Sequence, residues 1–260
     1  MPQSFGGWVV FLLDKYGSMF LKGAGITLLV AITGTIIGFL IGLLIGIVRT
    51  IPIEKKDPLY KRVLLKVVRG ILVVYIEVFR GTPMMVQAMV IYYGAAQYLS
   101  LDMPWLFAGI FIISINTGAY MAEIVRGGII SVDRGQREGA QSIGMTHWQT
   151  MCHVILPQAI RNIMPSIGNE FVINIKDSSV LSVITVSELF YVSKTAAGTY
   201  MVYFEAFFIT CAIYLVMTFT VTRIMLWIER RMDGPNTYVI MGSQNMPNTS
   251  IKIEQDREAR

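Results

Sequence analysis

Glu170, Asn174 and Asp177 stand four and three residues apart in a largely apolar run, a spacing that sets two carboxylates and an amide on one helix face. Such a set binds; it does not break bonds. Carboxylates hold cations, and amides both donate and accept hydrogen bonds. Gln87 and Asn116 occupy two other apolar runs, and with each run centred in a bilayer they fall near the depth of Glu170. Tyr120 follows Asn116 by four residues. An uncompensated charge at that depth costs about 2.5 to 3.5 kcal/mol on insertion scales, so Glu170 requires a cationic solute group, a basic side chain or water. Gln87, Asn116, Tyr120, Glu170, Asn174 and Asp177 are therefore the expected lining of a polar pathway. Glu77 and Arg80 lie three apart and are expected to pair within one helix as a structural contact, with pathway lining as the alternative. His147 and His153 are six apart, on different helix faces, which argues against a shared metal ion. With no nucleophile beside a base, no enzyme active site is expected.

The elements that must position these residues are membrane spans. Hydrophobic residues fill 54% of 260 positions and charged ones 15%, against roughly 25% in a soluble domain. Residues 26–48 carry no charge over 23 positions, and about 20 suffice to span a bilayer. Residues 103–122 and 206–222 form similar runs, while 71–99 and 154–184 hold charges that must be sheltered from lipid. The expectation is an all-α integral membrane protein with five transmembrane helices. Basic residues collect at Arg49 to Arg69, at Arg126, Arg134, Arg137 and Arg161, and at Arg223, Arg230 and Arg231. A chain with its N-terminus outside and its C-terminus in the cytoplasm puts all three clusters on the inner side. The pI near 9.2 then reflects topology, and no nucleic-acid partner is expected. No disulfide is expected between Cys152 and Cys211.

Along the chain, residues 1–17 read as an N-terminal segment with a short amphipathic helix, Phe5 to Lys15, on the outer surface. Residues 18–232 form the transmembrane domain, and 233–260 a polar cytoplasmic tail. Gly34, Gly38, Gly42 and Gly46 recur every four residues, which predicts tight packing of the first span against a neighbour within the chain; a dimer seam is the alternative. Leu59 to Arg69 alternates basic and apolar residues, as an interfacial elbow would. Gly81-Thr82-Pro83 is expected to loosen the second span, and Pro165 and Gly168 to interrupt the fourth. Residues 131–153 predict two short helices: one after Ser131-Val-Asp133 running through Ile143, a turn at Gly144, and a second capped by Thr146. Pro157 is expected to start the next span.

In that block Glu138, Ala140, Gly144, Val154 and Leu156-Pro157 hold the spacing E-x-A-x3-G-x9-[IV]-x-L-P. Matching stretches stand at Glu77 to Gln87, Ala119 to Glu123, Gly168 to Phe171 and Lys176 to Ser179. From about Gly17 to Arg230 the chain resembles the permease subunits of type I ABC importers, in the branch that carries polar amino acids. The resemblance implies a bacterial cytoplasmic-membrane protein with five spans and a second permease, identical or similar, around one pathway. It implies two ATP-binding subunits that use ATP and Mg, an extracytoplasmic amino-acid-binding protein, and no cofactor on this chain. Glu138, Gly139, Ala140, Gly144 and Met145 would then form the coupling surface for the ATPase; Gly139 departs from an alanine common there. No G-x4-G-K-[ST] phosphate loop occurs in the chain, so a partner must hydrolyse ATP. Glu170 and Asp177 favour a basic substrate such as arginine, lysine or histidine, while Lys176 and Arg80 would reverse that sign if they faced the same path. The alternative is an ATP-independent secondary transporter or channel, but five spans without an inverted repeat do not fit the usual plan.

Overall fold

The computed structural model describes residues 2–53 and 58–232; Lys55, Lys56, Asp57 and the 233–260 tail lie outside the described residues. Helix α1 (Phe5–Thr50) is capped by Ser4, whose hydroxyl accepts from the Gly7 amide at 3.2 Å. At about 1.5 Å per residue it is longer than a bilayer is thick. Phe5 to Lys15 is thus not a separate short helix but the first turns of α1. Its apolar side chains find protein partners: Leu12 is fully buried, and the Phe5 ring stands 5.6 and 5.3 Å from Phe204 and Phe208.

Below that, the glycine stripe of α1 packs on α4 (Trp105–Ser131). A methyl group on Gly38 would stand 2.7 Å from Thr117, on Gly42 2.7 Å from the Ala122 amide, and on Gly46 2.6 Å from Val125. Lipid offers no hydrophobic drive for helices to associate, so close backbone approach and van der Waals contact hold this pair. The expected packing within the chain is what the four glycines serve.

Helix α2 (Leu59–Gly81) runs unbroken from the basic elbow into the apolar segment, and α3 (Met84–Leu99) follows after Thr82-Pro83. The proline lacks an amide hydrogen and cannot continue the ladder. Asp133 caps α5 (Arg134–Ser142), its carboxylate accepting from Gly135 at 2.7 Å. The helix ends in a Schellman motif: the Met145 amide donates to Ala140 and the Gly144 amide to Gln141. Gly144 sits at φ +85°, so Gly144→Ala should cost about 1 kcal/mol and lower the thermal midpoint of the purified protein. A capping box joins Thr146 and Gln149 at the start of α6 (His147–Thr150).

Pro157 stands in the first turn of the next long helix, as expected, where its missing amide costs no helical hydrogen bond. From α6 the chain passes through a π-helical turn, Met151–Ile155, directly into α7 (Leu156–Asp177). The wider turn absorbs the clash between the proline ring and the carbonyl one turn before it. Helix α7 is not interrupted at Pro165 or Gly168; at Gly168 the missing side chain admits Met225, which a methyl would meet at 3.2 Å. A 3-10 turn (Ser178–Ile184) leads to α8 (Leu189–Tyr200) and then to α9 (Tyr203–Met232).

Among the described residues, α1, α4 and α9 are long and apolar enough to cross a membrane. Residues 147–184 with α8 make a fourth candidate, bent by 55°. The broken α2–α3 segment does not pass that test, because its apolar length is split at Pro83 and its start is basic.

Candidate functional site

A cavity of about 420 Å³ opens between the α2–α3 break, α4 and α7. Its walls carry Asn116 and Tyr120 from α4, Glu170, Asn174 and Asp177 from α7, and Val180 from the 3-10 turn. Five of the six residues expected to line a pathway therefore meet in one space. Glu170 and Asp177 are half-buried, and no basic side chain forms an ion pair with either among the described residues. The cavity combines two carboxylates with two amides and a phenol, a set that holds a polar cation without covalent chemistry.

Gln87 is the sixth, and it is not on the wall. Its side chain is buried behind it, donating to the Phe79 carbonyl at 2.9 Å and to the Thr82 carbonyl at 2.9 Å. Its carbonyl oxygen accepts from Asn116 at 2.8 Å. The break at Pro83 frees backbone carbonyls in an apolar setting, and Gln87 satisfies them. Asn174 has a similar second duty: it donates to Thr35 on α1 at 2.8 Å and accepts from Thr117 on α4 at 3.0 Å.

The expected Glu77–Arg80 pair is not formed among the described residues. Arg80 instead lies over the Tyr120 ring, 5.5 Å from its centroid, because the aromatic face on α4 is within reach of a long side chain leaving the end of α2. Glu123 turns away from the cavity, binding Arg49 on α1 and, at 3.0 Å, Arg126.

The 131–153 block folds as a helix, a turn and a second helix. Glu138 is exposed and pairs with Arg134 at 2.8 Å, while Gly139 and Gly144 are exposed. Ala140 is only 6% exposed and faces its own chain, so its small size serves the seating of α5. The apolar surface of the block comes from Ile143, 78% exposed, and Trp148, 61% exposed, with Met145 partly covered between them. Ile143 ends a short polar helix and follows no periodic pattern, so no local signal marks it.

The family model described as "Binding-protein-dependent transport system inner membrane component" matches residues 59–234. The chain belongs to this family. It is similar to the glutamine transport system permease protein GlnP of Escherichia coli (strain K12), 38% identical over 160 residues, 61% of this chain and 73% of that protein. The arginine transport system permease protein ArtQ of Bacillus subtilis (strain 168) is 34% identical over 160 residues, 62% of this chain and 73% of that protein. A crystal structure of an amino acid ABC transporter with histidines superposes with a TM-score of 0.74 at 38% identity, covering 89% of this chain and 100% of that one. The MetNI methionine ABC transporter, with a TM-score of 0.71 at 15% identity over 85% of this chain and 99% of that one, shares the fold. The protein is a permease subunit of an amino-acid ABC importer and is not an enzyme; its ATPase is a separate subunit. The ATP-independent alternative is set aside.

Proposed function

We propose that this permease imports a cationic amino acid of the arginine, lysine or histidine kind, and that the cavity at Glu170 is where the solute pauses. The observation that carries the reading is the pair of carboxylates, Glu170 and Asp177, in one cavity with Asn116, Asn174 and Tyr120. A substrate ammonium or guanidinium pairs with the two carboxylates, and the amides fix its orientation. Five spans cross a bacterial cytoplasmic membrane, with α2 and α3 together as the second, the N-terminus outside and the C-terminus in the cytoplasm. A second permease, identical or similar, completes the pathway. Two ATP-binding subunits, working with ATP and Mg, lie beneath, and an extracytoplasmic amino-acid-binding protein delivers the solute.

The 131–153 block receives the ATPase stroke. Glu138, Gly139, Gly144 and Met145 form its contact surface, and the exposed Ile143 and Trp148 supply apolar anchors. Buried aromatic anchors carry a large share of interface energy, so Trp148→Ala or Ile143→Glu should reduce co-purification of the ATPase about tenfold without altering membrane insertion. Co-purification at the parental ratio would exclude these side chains from the interface. For the substrate, the assembled transporter in proteoliposomes should take up radiolabelled arginine or lysine in preference to glutamine. Preferential glutamine uptake would overturn the cationic assignment.

A further inference from the structure

We propose that Glu188 is a positioning residue of the transport cycle, latching the outer end of the cavity to α9 through Tyr214. Glu188 is wholly buried at the N-terminus of α8. One carboxylate oxygen accepts from the Tyr191 amide at 2.7 Å; the other accepts from the Phe190 amide at 2.8 Å and from the Tyr214 hydroxyl of α9 at 2.9 Å. Three donors converge on two oxygens, which suits an ionised carboxylate lying at the positive end of a helix. The next residue is clamped as well: the Leu189 amide donates to Thr27 at 3.3 Å, and a methyl on Gly23 would stand 3.0 Å from the Leu189 Cα.

A helix cap by itself needs none of this. Serine, threonine, asparagine and aspartate are the favoured caps, and glutamate is one methylene longer. That extra length lets one side chain cap α8 and reach α9 together. The cavity wall belongs to the other side of the break: Asp177 ends α7 and Val180 lies in the 3-10 turn. Between wall and latch the chain bends by 55° and passes through Thr185 at φ 64°, a left-handed conformation that costs a threonine energy. Glu188 therefore ties α8 to α9 while Leu189 ties it to α1, leaving residues 185–187 as the joint at which the outer end of the cavity parts. This inference rests on the cavity being the solute path.

The test uses the transporter assembled with its ATPase subunits in nanodiscs, carrying spin labels at Leu101→Cys and Lys194→Cys with Cys152 and Cys211 replaced by serine. Tyr214→Phe removes only the α9 link. Glu188→Asp keeps a competent cap but falls short of Tyr214. Losing one hydrogen bond to a charged group shifts an equilibrium about tenfold, so both variants should raise ATP hydrolysis without the binding protein by about that factor and broaden the label distance distribution. Parental hydrolysis or a parental distance distribution in both variants overturns the latch, as does full rescue by Glu188→Asp, which would leave Glu188 a cap alone. Glu170→Gln is run beside them: unchanged substrate dependence there removes the pathway reading, while the label distances of the Glu188 variants still judge the latch.

Discussion

Glu170→Gln should leave membrane insertion and assembly intact and cut uptake of a cationic amino acid by about 30-fold or more, the lower end expected for breaking a buried charge pair. The substitution keeps shape and hydrogen-bonding capacity and removes only the charge. Because a charge at membrane depth opposes insertion, its removal cannot harm folding by that route, and lost uptake then reports on the solute. A neutral amino acid such as glutamine should be affected far less, so the ratio of arginine to glutamine uptake in proteoliposomes is the decisive measurement. Equal losses for both would mean that Glu170 sets the structure of α7 and not the selectivity of the cavity.

Gly42→Leu should prevent recovery of a folded, detergent-stable protein, and Gly42→Ala should lower its thermal midpoint. Two effects oppose each other at this position. Alanine is favoured over glycine in a helix by about 1 kcal/mol. Overpacking costs typically about 1 to 3 kcal/mol, and here the added methyl meets the Ala122 amide nitrogen at 2.7 Å, a backbone atom that cannot swing aside. The clash wins. Gly25, on the same helix, has nothing within 4 Å of an added methyl, so Gly25→Ala should be neutral or mildly stabilising. A Gly42→Ala protein as stable as Gly25→Ala, measured by thermal unfolding in detergent, would show that α1 and α4 do not pack as described.

Those two positions differ in how they could be found. The glycine stripe is a local pattern of period four, and close packing is the reason such a pattern exists, so its use was legible without coordinates. The α7 face was legible for the same reason, since spacings of four and three define a helix face whatever surrounds it. The 131–153 hairpin was legible through turn chemistry: Asp133, Gly144 and Thr146 each perform a task that few residue types perform.

What failed shared one cause. The separate helix at Phe5 to Lys15, the breaks at Pro165 and Gly168, and the Glu77–Arg80 pair were all inferred from nearest neighbours along the chain. Phe5, Gly168 and Arg80 instead meet partners distant in sequence, Phe204 and Phe208, Met225, and Tyr120, while α7 simply continues through Pro165. Gln87 shows the same from within the site, its polarity pointing to depth but not to which side of the wall it occupies.

Local chemistry along the chain is enough to specify a bundle of apolar helices, a polar face on α7, and a capped hairpin over residues 131–153 between the apolar runs. These follow from periodicity, cap chemistry and the energetic cost of charge in lipid, all of which act within a few residues. Packing between the helices settles which polar side chains share the cavity, which hold its walls, and how Glu188 and Leu189 together join α8 to α9 and α1. Those outcomes depend on contacts between residues as many as 162 positions apart, as with Leu189 and Thr27, and no local rule encodes them.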